Sequence, residues 1–120
     1  MRYLCLVHFD ERMLDTLPPH ELATLEHDSR AYNEELRARG QLVAAHALQR
    51  AKAAKVVKLR AGRASCVDGP FIETKEQLGG FLLIDVADLN AAIQVAARTP
   101  MARYGSIEVR RVAIVERMAP

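Results

Sequence analysis

The first nine residues, MRYLCLVHF, restrict the possible folds more than any other segment because they are apolar at odd and even positions alike. One parity carries Tyr, Cys, Val and Phe, and the other carries two leucines and His8. Successive side chains of a strand point to opposite faces of a sheet, so both faces of this strand need apolar cover. The sequence therefore predicts a sheet with helices on one face and a second apolar surface on the other.

Two helices are marked by their boundary residues. Pro18 and Pro19 open a helix whose apolar residues recur at spacings of three and four, and Gly40 supplies its end. Asp88 is a suitable N-cap for a second helix. That helix must end before Pro100, because the residue preceding a proline is pushed out of the helical region.

The remaining apolar runs predict strands at 41–48, 81–86 and 106–115, and a hairpin at 55–59 and 64–67. Gly79 and Gly80, just ahead of residue 81, indicate a bulge or a close approach of backbone. The order of elements is β, α, β, hairpin, β, α, β. This order matches the α+β class, as a ferredoxin-like split βαβ fold with an inserted β-hairpin.

The chain of 120 residues and 13.4 kDa is expected to form a single domain, 1–120. No run approaches the roughly 20 apolar residues that cross a bilayer, and the amino terminus has a strand pattern rather than that of a leader peptide. We therefore expect a cytoplasmic protein without membrane association. Cys5 and Cys66 lie in apolar runs and are expected to be buried, reduced thiols.

The predicted fold leaves one face of the sheet without helices. An exposed apolar sheet surface of several hundred Å² is rare in monomers. A twofold homodimer covers such a surface with an identical copy, so a homodimer is the expected state.

The basic residues are unevenly distributed. No acidic residue occurs between Gln41 and Val67, although six of the 17 lysines and arginines fall there. This local charge has two interpretations, one that it attracts an anionic ligand or phosphates, the other that it keeps an exposed hairpin soluble. The second is favoured because no nucleic-acid-binding motif and no interleaved aromatic residues accompany the charges, so a nucleic-acid partner is not expected.

The segment DGPFIETKEQLGGF, from Asp68 to Phe81, combines a tight turn, a charged loop and a double glycine. Together with YLCLVHFDE, EELRARGQLV and RTPMARYGSIEVR, it resembles the YCII-related family, in its DGPF-domain subgroup. The resemblance implies a dimeric α/β barrel of two ferredoxin-like subunits, each with a cleft between sheet, hairpin and DGPF loop. It also implies two kinds of role, because some relatives act on small aromatic compounds as dehydrochlorinase-like enzymes and some DGPF proteins are associated with sigma factors.

In one branch of that family, the resemblance implies a catalytic pair formed by a His on the first helix and an Asp just before the proline that ends the second. Counting back from Gly40 and Pro100 puts Ser29 and Thr99 at these positions. Neither side chain serves as a base near neutral pH without help, so this pair is absent.

The remaining candidates for a site lie on strands and on the DGPF loop. His46 and His8 are candidate proton carriers, and Asp68 is a candidate orienting carboxylate. The candidate ligand-binding residues are Asp10, Phe71, Glu73 and Lys75. Each has a structural alternative: hydrogen-bonded neutral histidines at a dimer seam, a turn-capping Asp68, weak pairing among the loop charges, and a Phe71 that fixes the loop to the core.

No cofactor-binding or metal-binding pattern is found. His20 and His27 are separated by about 10.5 Å along the first helix, and the neighbouring Asp28 points elsewhere. The sequence predicts a small-molecule-binding protein, with cofactor-free acid–base chemistry such as elimination or isomerisation as its enzymatic form. The alternative is a non-catalytic protein-interaction module.

Overall fold

The computed structural model describes residues 1–114. In chain order the elements are β1 (Arg2–Phe9), α1 (Arg12–Thr16), α2 (Pro19–Ala38), β2 (Leu42–Ala47), β3 (Lys55–Arg60), β4 (Arg63–Asp68), β5 (Gln77–Asp85), α3 (Leu89–Arg98) and β6 (Ser106–Arg111). Short 3₁₀ helices at Ala51–Ala53 and Pro100–Arg103 complete them. None of the helices in this part of the chain is long and apolar enough to cross a membrane.

The main sheet has four strands in the order β2-β5-β1-β6, and every neighbouring pair is antiparallel. β1 and β2 therefore run parallel to each other with β5 between them. This is the split βαβ arrangement, and the predicted fold class is confirmed.

The two faces of the sheet differ in their cover. Tyr3, Cys5, Val7 and Phe9 of β1 are buried in one cluster that includes residues from α2 and α3. The intervening residues of β1 are only half-buried. Both helices thus cover the same face of the sheet, and we call the other one the open face.

Hydrogen bonds hold the two long helices in place. The Tyr32 hydroxyl on α2 donates to the Val95 carbonyl on α3 at 2.8 Å. The Asp88 side chain accepts from the Ala91 backbone N–H at 2.8 Å, which confirms the predicted N-cap of α3. The predicted boundaries at Pro19, Gly40 and Pro100 agree with the observed helices.

The structure differs from the sequence prediction at three elements, which are β5, α1 and the last strand. β5 begins at Gln77 rather than at residue 81, so Gly79 and Gly80 lie inside the strand. The pairing with β1 skips Gly79, which confirms the predicted bulge. The five-residue helix α1 was not predicted, because so short a helix shows no periodicity. The last strand ends at Arg111, before the predicted end at residue 115, and Val115 itself lies outside the described residues.

The inserted hairpin forms a separate two-stranded sheet of β3 and β4, which we call the arm. Ala61 and Gly62 at its turn both have positive φ, as a tight hairpin turn requires. Most of its side chains are exposed, including Cys66, whereas Cys5 is buried. The prediction of a buried Cys66 was wrong because nothing among residues 1–114 covers this strand.

Candidate functional site

A cavity of about 420 Å³ lies between α2 and the sheet, at its β2 and β5 strands. Its apolar lining includes Val7, Phe9 and Leu82 from the sheet and Leu25 and Tyr32 from α2. We call it the α2 cavity. Its size and its mainly apolar lining are typical of sites that take a small organic molecule.

Polar side chains enter the α2 cavity from one face of α2. Glu26, Ser29, Arg30 and Asn33 all line it, and their spacings of three, four and seven residues place them along a single stripe of the helix. Ser29 and Asn33 are half-buried, whereas Glu26 and Arg30 are exposed. The cavity therefore has a hydroxyl and an amide along its wall and two opposite charges at its rim.

Thr99 contributes a buried polar group from the end of α3. It precedes Pro100 and has extended backbone, so its N–H bonds to Ala96 rather than to Val95. The Val95 carbonyl instead accepts from the hydroxyls of Thr99, at 3.1 Å, and of Tyr32, at 2.8 Å. The Thr99 proton is thus committed, and its oxygen remains an acceptor.

Gly79 shapes the sheet side of the cavity. A Cβ atom at this position would lie 2.0 Å from Cε1 of Phe9, far inside contact distance. The bulge and the missing side chain let the Phe9 ring pack against the β5 backbone. This close approach explains Gly79, and at Gly80 a Cβ atom would lie 2.9 Å from the carbonyl oxygen of His46.

Ser29 and Thr99, the positions where the resemblance implied a catalytic pair, both line the α2 cavity. These two positions are far apart in the sequence, but the fold brings them to the same cavity. Neither hydroxyl is a base at neutral pH.

The two candidate histidines project elsewhere. His46 is among the residues that border the cavity. It pairs with Phe81 in the sheet and their rings are 5.7 Å apart, so the imidazole lies on the open face. His8 is also on the open face, where its Nε2 lies 3.2 Å from Oε1 of Glu108. The structure does not bring either imidazole to Asp68.

Three of the predicted ligand-binding residues and the predicted orienting carboxylate meet in a second, more open cleft beside the DGPF loop. The cleft has a volume of about 450 Å³, and Asp10, Asp68, Glu73 and Lys75 line it. Phe71 does not line it and is 75% exposed. We call this surface the DGPF cleft.

Two carboxylates of the DGPF cleft, Asp10 and Asp68, already have partners. Asp10 accepts two bonds from the Arg12 guanidinium, at 3.0 and 2.7 Å, and one from the Arg12 backbone N–H. These bonds lower the pKa of Asp10 to about 2. Asp68 pairs with Lys55 across the base of the arm, where both side chains are mostly exposed and the pair contributes little stability.

The sequence analysis missed Glu26, Arg30 and Asn33. The sequence contained a signal for them, because Ser29 is a polar residue on the otherwise apolar face of α2. Glu26, Arg30 and Asn33 lie beside it on the same side of the helix. Among residues 1–114, no group of three or more His, Cys, Asp or Glu side chains is placed to hold a metal ion.

Comparisons with known proteins give a consistent picture. The family model described as the YCII-related domain matches residues 1–116. An uncharacterised protein of Rhizobium meliloti (strain 1021) is 35% identical over 116 residues, which cover 95% of this chain and 94% of the relative. A solved structure of similar fold is 5-chloro-2-hydroxyhydroquinone dehydrochlorinase from Burkholderia phenoliruptrix, in complex with 2,5-dihydroxybenzoquinone. It aligns over 94% of both chains with a TM-score of 0.56 and 16% identity.

Proposed function

The chain belongs to the YCII-related family, and from this premise we propose that it binds a small, largely apolar ring compound in the α2 cavity. The observation that carries the proposal is the lining of this cavity, which is apolar except for one polar stripe of α2 and Thr99. Such a lining holds a ring by burial and orients it through a few polar contacts.

The polar stripe indicates the substituents of the ligand. Ser29 and Asn33 offer donors and acceptors for hydroxyl or carbonyl oxygens, and Arg30 at the rim suits an anionic group. The dehydrochlorinase of similar fold is in complex with a single ring carrying oxygen substituents. That relative supports a ligand of the same size and class here.

Glu26 is the carboxylate along the described lining of the α2 cavity. We assign it the role of proton acceptor in any acid–base step on the bound ring. An elimination on a partly saturated ring would begin with transfer of a proton from one ring carbon to this carboxylate. The electron pair left behind would form a C=C bond as the leaving group on the adjacent saturated carbon departs as its anion. No step requires either histidine.

A thermal-shift screen of single-ring phenols, hydroxyquinones and aromatic carboxylates tests the proposal. We expect at least one compound to raise the Tm of the wild type by several degrees, as saturating ligand does. Ser29→Phe, which fills the cavity, should abolish this shift while keeping a cooperative unfolding transition. Asp68→Asn in the DGPF cleft and His46→Ala on the open face should respond as the wild type does.

Other results would lead to other functions. Loss of the shift in Asp68→Asn, with Ser29→Phe unaffected, would move the site to the DGPF cleft. If no compound stabilises the wild type, the binding proposal fails and a protein-interaction module becomes the better account.

We propose in addition that the open face is covered by a second copy in a twofold homodimer. Leu4 and Leu6 of β1 pair with Leu83 and Phe81 of β5, which gives an apolar patch across the two central strands. In one chain these side chains are only half-buried. The same patch on a second copy is complementary to it by symmetry.

The surface area supports the dimer. The chain exposes 8604 Å², whereas a folded monomer of this mass exposes roughly 6,500 Å². Six residues add at most roughly 1,000 Å² to any structure, so residues 115–120 do not account for the excess of roughly 2,000 Å². At least roughly 1,000 Å² of the excess therefore belongs to the described residues, which is of the order of the area that each partner buries in a stable interface.

A further inference from the structure

The arm has two chemically different faces. The pairs in its register alternate, so Val57 and Cys66 lie on one face with Leu59 and Ala64, and Lys58 and Ser65 lie on the other. The second face also carries Arg60 and Arg63. At the base of the arm the pattern differs, because the pair of Lys55 and Asp68 lies on the first face and the pair of Val56 and Val67 on the second. Towards its turn, one face of the ribbon is therefore apolar and the opposite face is basic.

The apolar face of the arm is uncovered in the described chain. Val57 and Leu59 are each 66% exposed, and Cys66, directly opposite Val57, is exposed as well. Phe71 and Ile72, which follow the arm, are 75% and 58% exposed. A two-stranded ribbon is at best marginally stable on its own in water, so an apolar face of this kind calls for a partner surface.

The area needed for a stable dimer indicates what that partner is. Four strands spaced about 4.8 Å apart, each about 25 Å long, give an open face of roughly 500 Å². A standard interface takes roughly 800 Å² from each partner, and obligate homodimers take more. The arm supplies further apolar surface, which brings the interface towards the size typical of obligate homodimers.

The position of the arm also favours a second copy. The arm follows β2, the edge strand of the sheet, after one 3₁₀ turn. Its base is fixed to that turn by the bond from the Gly69 N–H to the Ala54 carbonyl at 2.8 Å. It therefore begins at the border of the open face, where a molecule packed on that face is nearest.

We propose that the apolar face of the arm packs on the second copy of the chain, with Cys66 inside the contact, and that its basic face stays in water. The inference rests on the proposed dimer and adds a second contact to it. It also accounts for three of the six basic residues of this segment, because Lys58, Arg60 and Arg63 on the outer face prevent further association of the ribbon.

Cys66 provides the test because it reports on the apolar face without any substitution. Cys5 does not interfere, since it is fully buried and burial raises its pKa to about 11. In the wild-type dimer, we expect Cys66 to react with Ellman's reagent about tenfold or more slowly than the two thiols of the urea-unfolded chain do, because the contact must open first. Val57→Asp should restore fast reaction.

Lys58→Ser is the matched control, one residue away on the basic face, and it should leave the rate as in the wild type. Leu59→Asp serves as a second variant of the apolar face if Val57→Asp does not fold. Sedimentation of the same samples separates the two proposals. A dimer whose Cys66 reacts at the unfolded rate overturns the arm contact alone, and a species of 13.4 kDa overturns the dimer and the arm contact together.

Discussion

At the scale of single residues, the site depends on a few side chains whose roles follow from close contacts. Gly79 is the clearest of them, because a Cβ atom there would overlap the Phe9 ring. Thr99 is another, since its hydroxyl satisfies a helix carbonyl next to the cavity. These residues keep the cavity open and hold its wall in place.

Gly79→Ala should destabilise the protein by about 1–3 kcal/mol, the usual cost of forcing extra volume into a packed site. Phe9→Leu in the same chain should recover part of this loss, because it removes the ring that the new methyl group meets. Urea denaturation of the two single variants and the double variant measures the coupling. Strictly additive effects would contradict the proposed contact.

Asp10 should make stability depend on pH in the acidic range. Its pKa is lowered to about 2 from a usual value of 3.8 by the bonds from Arg12, so the ionised form stabilises the fold above about pH 4. This contribution is lost as the pH falls towards 2. The stability difference between wild type and Asp10→Asn, measured by thermal melting, should therefore shrink from pH 6 to pH 2.5.

Arg12→Leu is the control for this pH effect. It removes the donor of the bonds, so its own difference from the wild type should shrink over the same range. A difference that stays constant or grows at low pH would contradict the role of the Asp10–Arg12 pair.

At the scale of elements, the sequence predicted most of the architecture because local chemistry marks it. Proline, glycine and an N-cap aspartate bounded both long helices, and apolar alternation located the strands. The direction of His46 was not predictable, because which parity of β2 faces the helices depends on its pairing with β5. The isolation of the arm and the cavity stripe also depend on tertiary packing, which no local pattern encodes.

Asp88→Ala should destabilise the protein by about 1 kcal/mol, because it removes the side-chain acceptor at the N-terminus of α3. Asp88→Ser keeps an acceptor and should lose much less. Thermal melting of both variants checks this. Equal losses would mean that the cap bond does not hold the helix.

At the scale of the whole molecule, one sheet carries two surfaces with different tasks. The helices cover one face and enclose the α2 cavity, and we propose that a second copy covers the other. This division accounts for a first strand that is apolar at both parities. It also places the proposed ligand site and the proposed dimer contact on opposite faces, so we expect a substitution at one to leave the other unaffected.

Leu6→Asp should convert the dimer to a monomer of 13.4 kDa, because twofold symmetry brings two new carboxylates into the apolar patch. Ile93→Asp is the control, since it replaces an exposed apolar residue of α3 on the side of the molecule away from the open face. Sedimentation at micromolar concentration compares them. A monomeric wild type, or an Ile93→Asp variant that dissociates as Leu6→Asp does, would contradict the assignment.

The most direct test of the central claim is an NMR titration of the isotope-labelled protein with the best compound from the screen. The account predicts saturable shifts of the backbone amides of Ser29, Asn33 and Thr99, with Asp68 and Glu73 unchanged. Shifts that instead cluster at Asp68 and Glu73 would contradict the α2 cavity as the binding site.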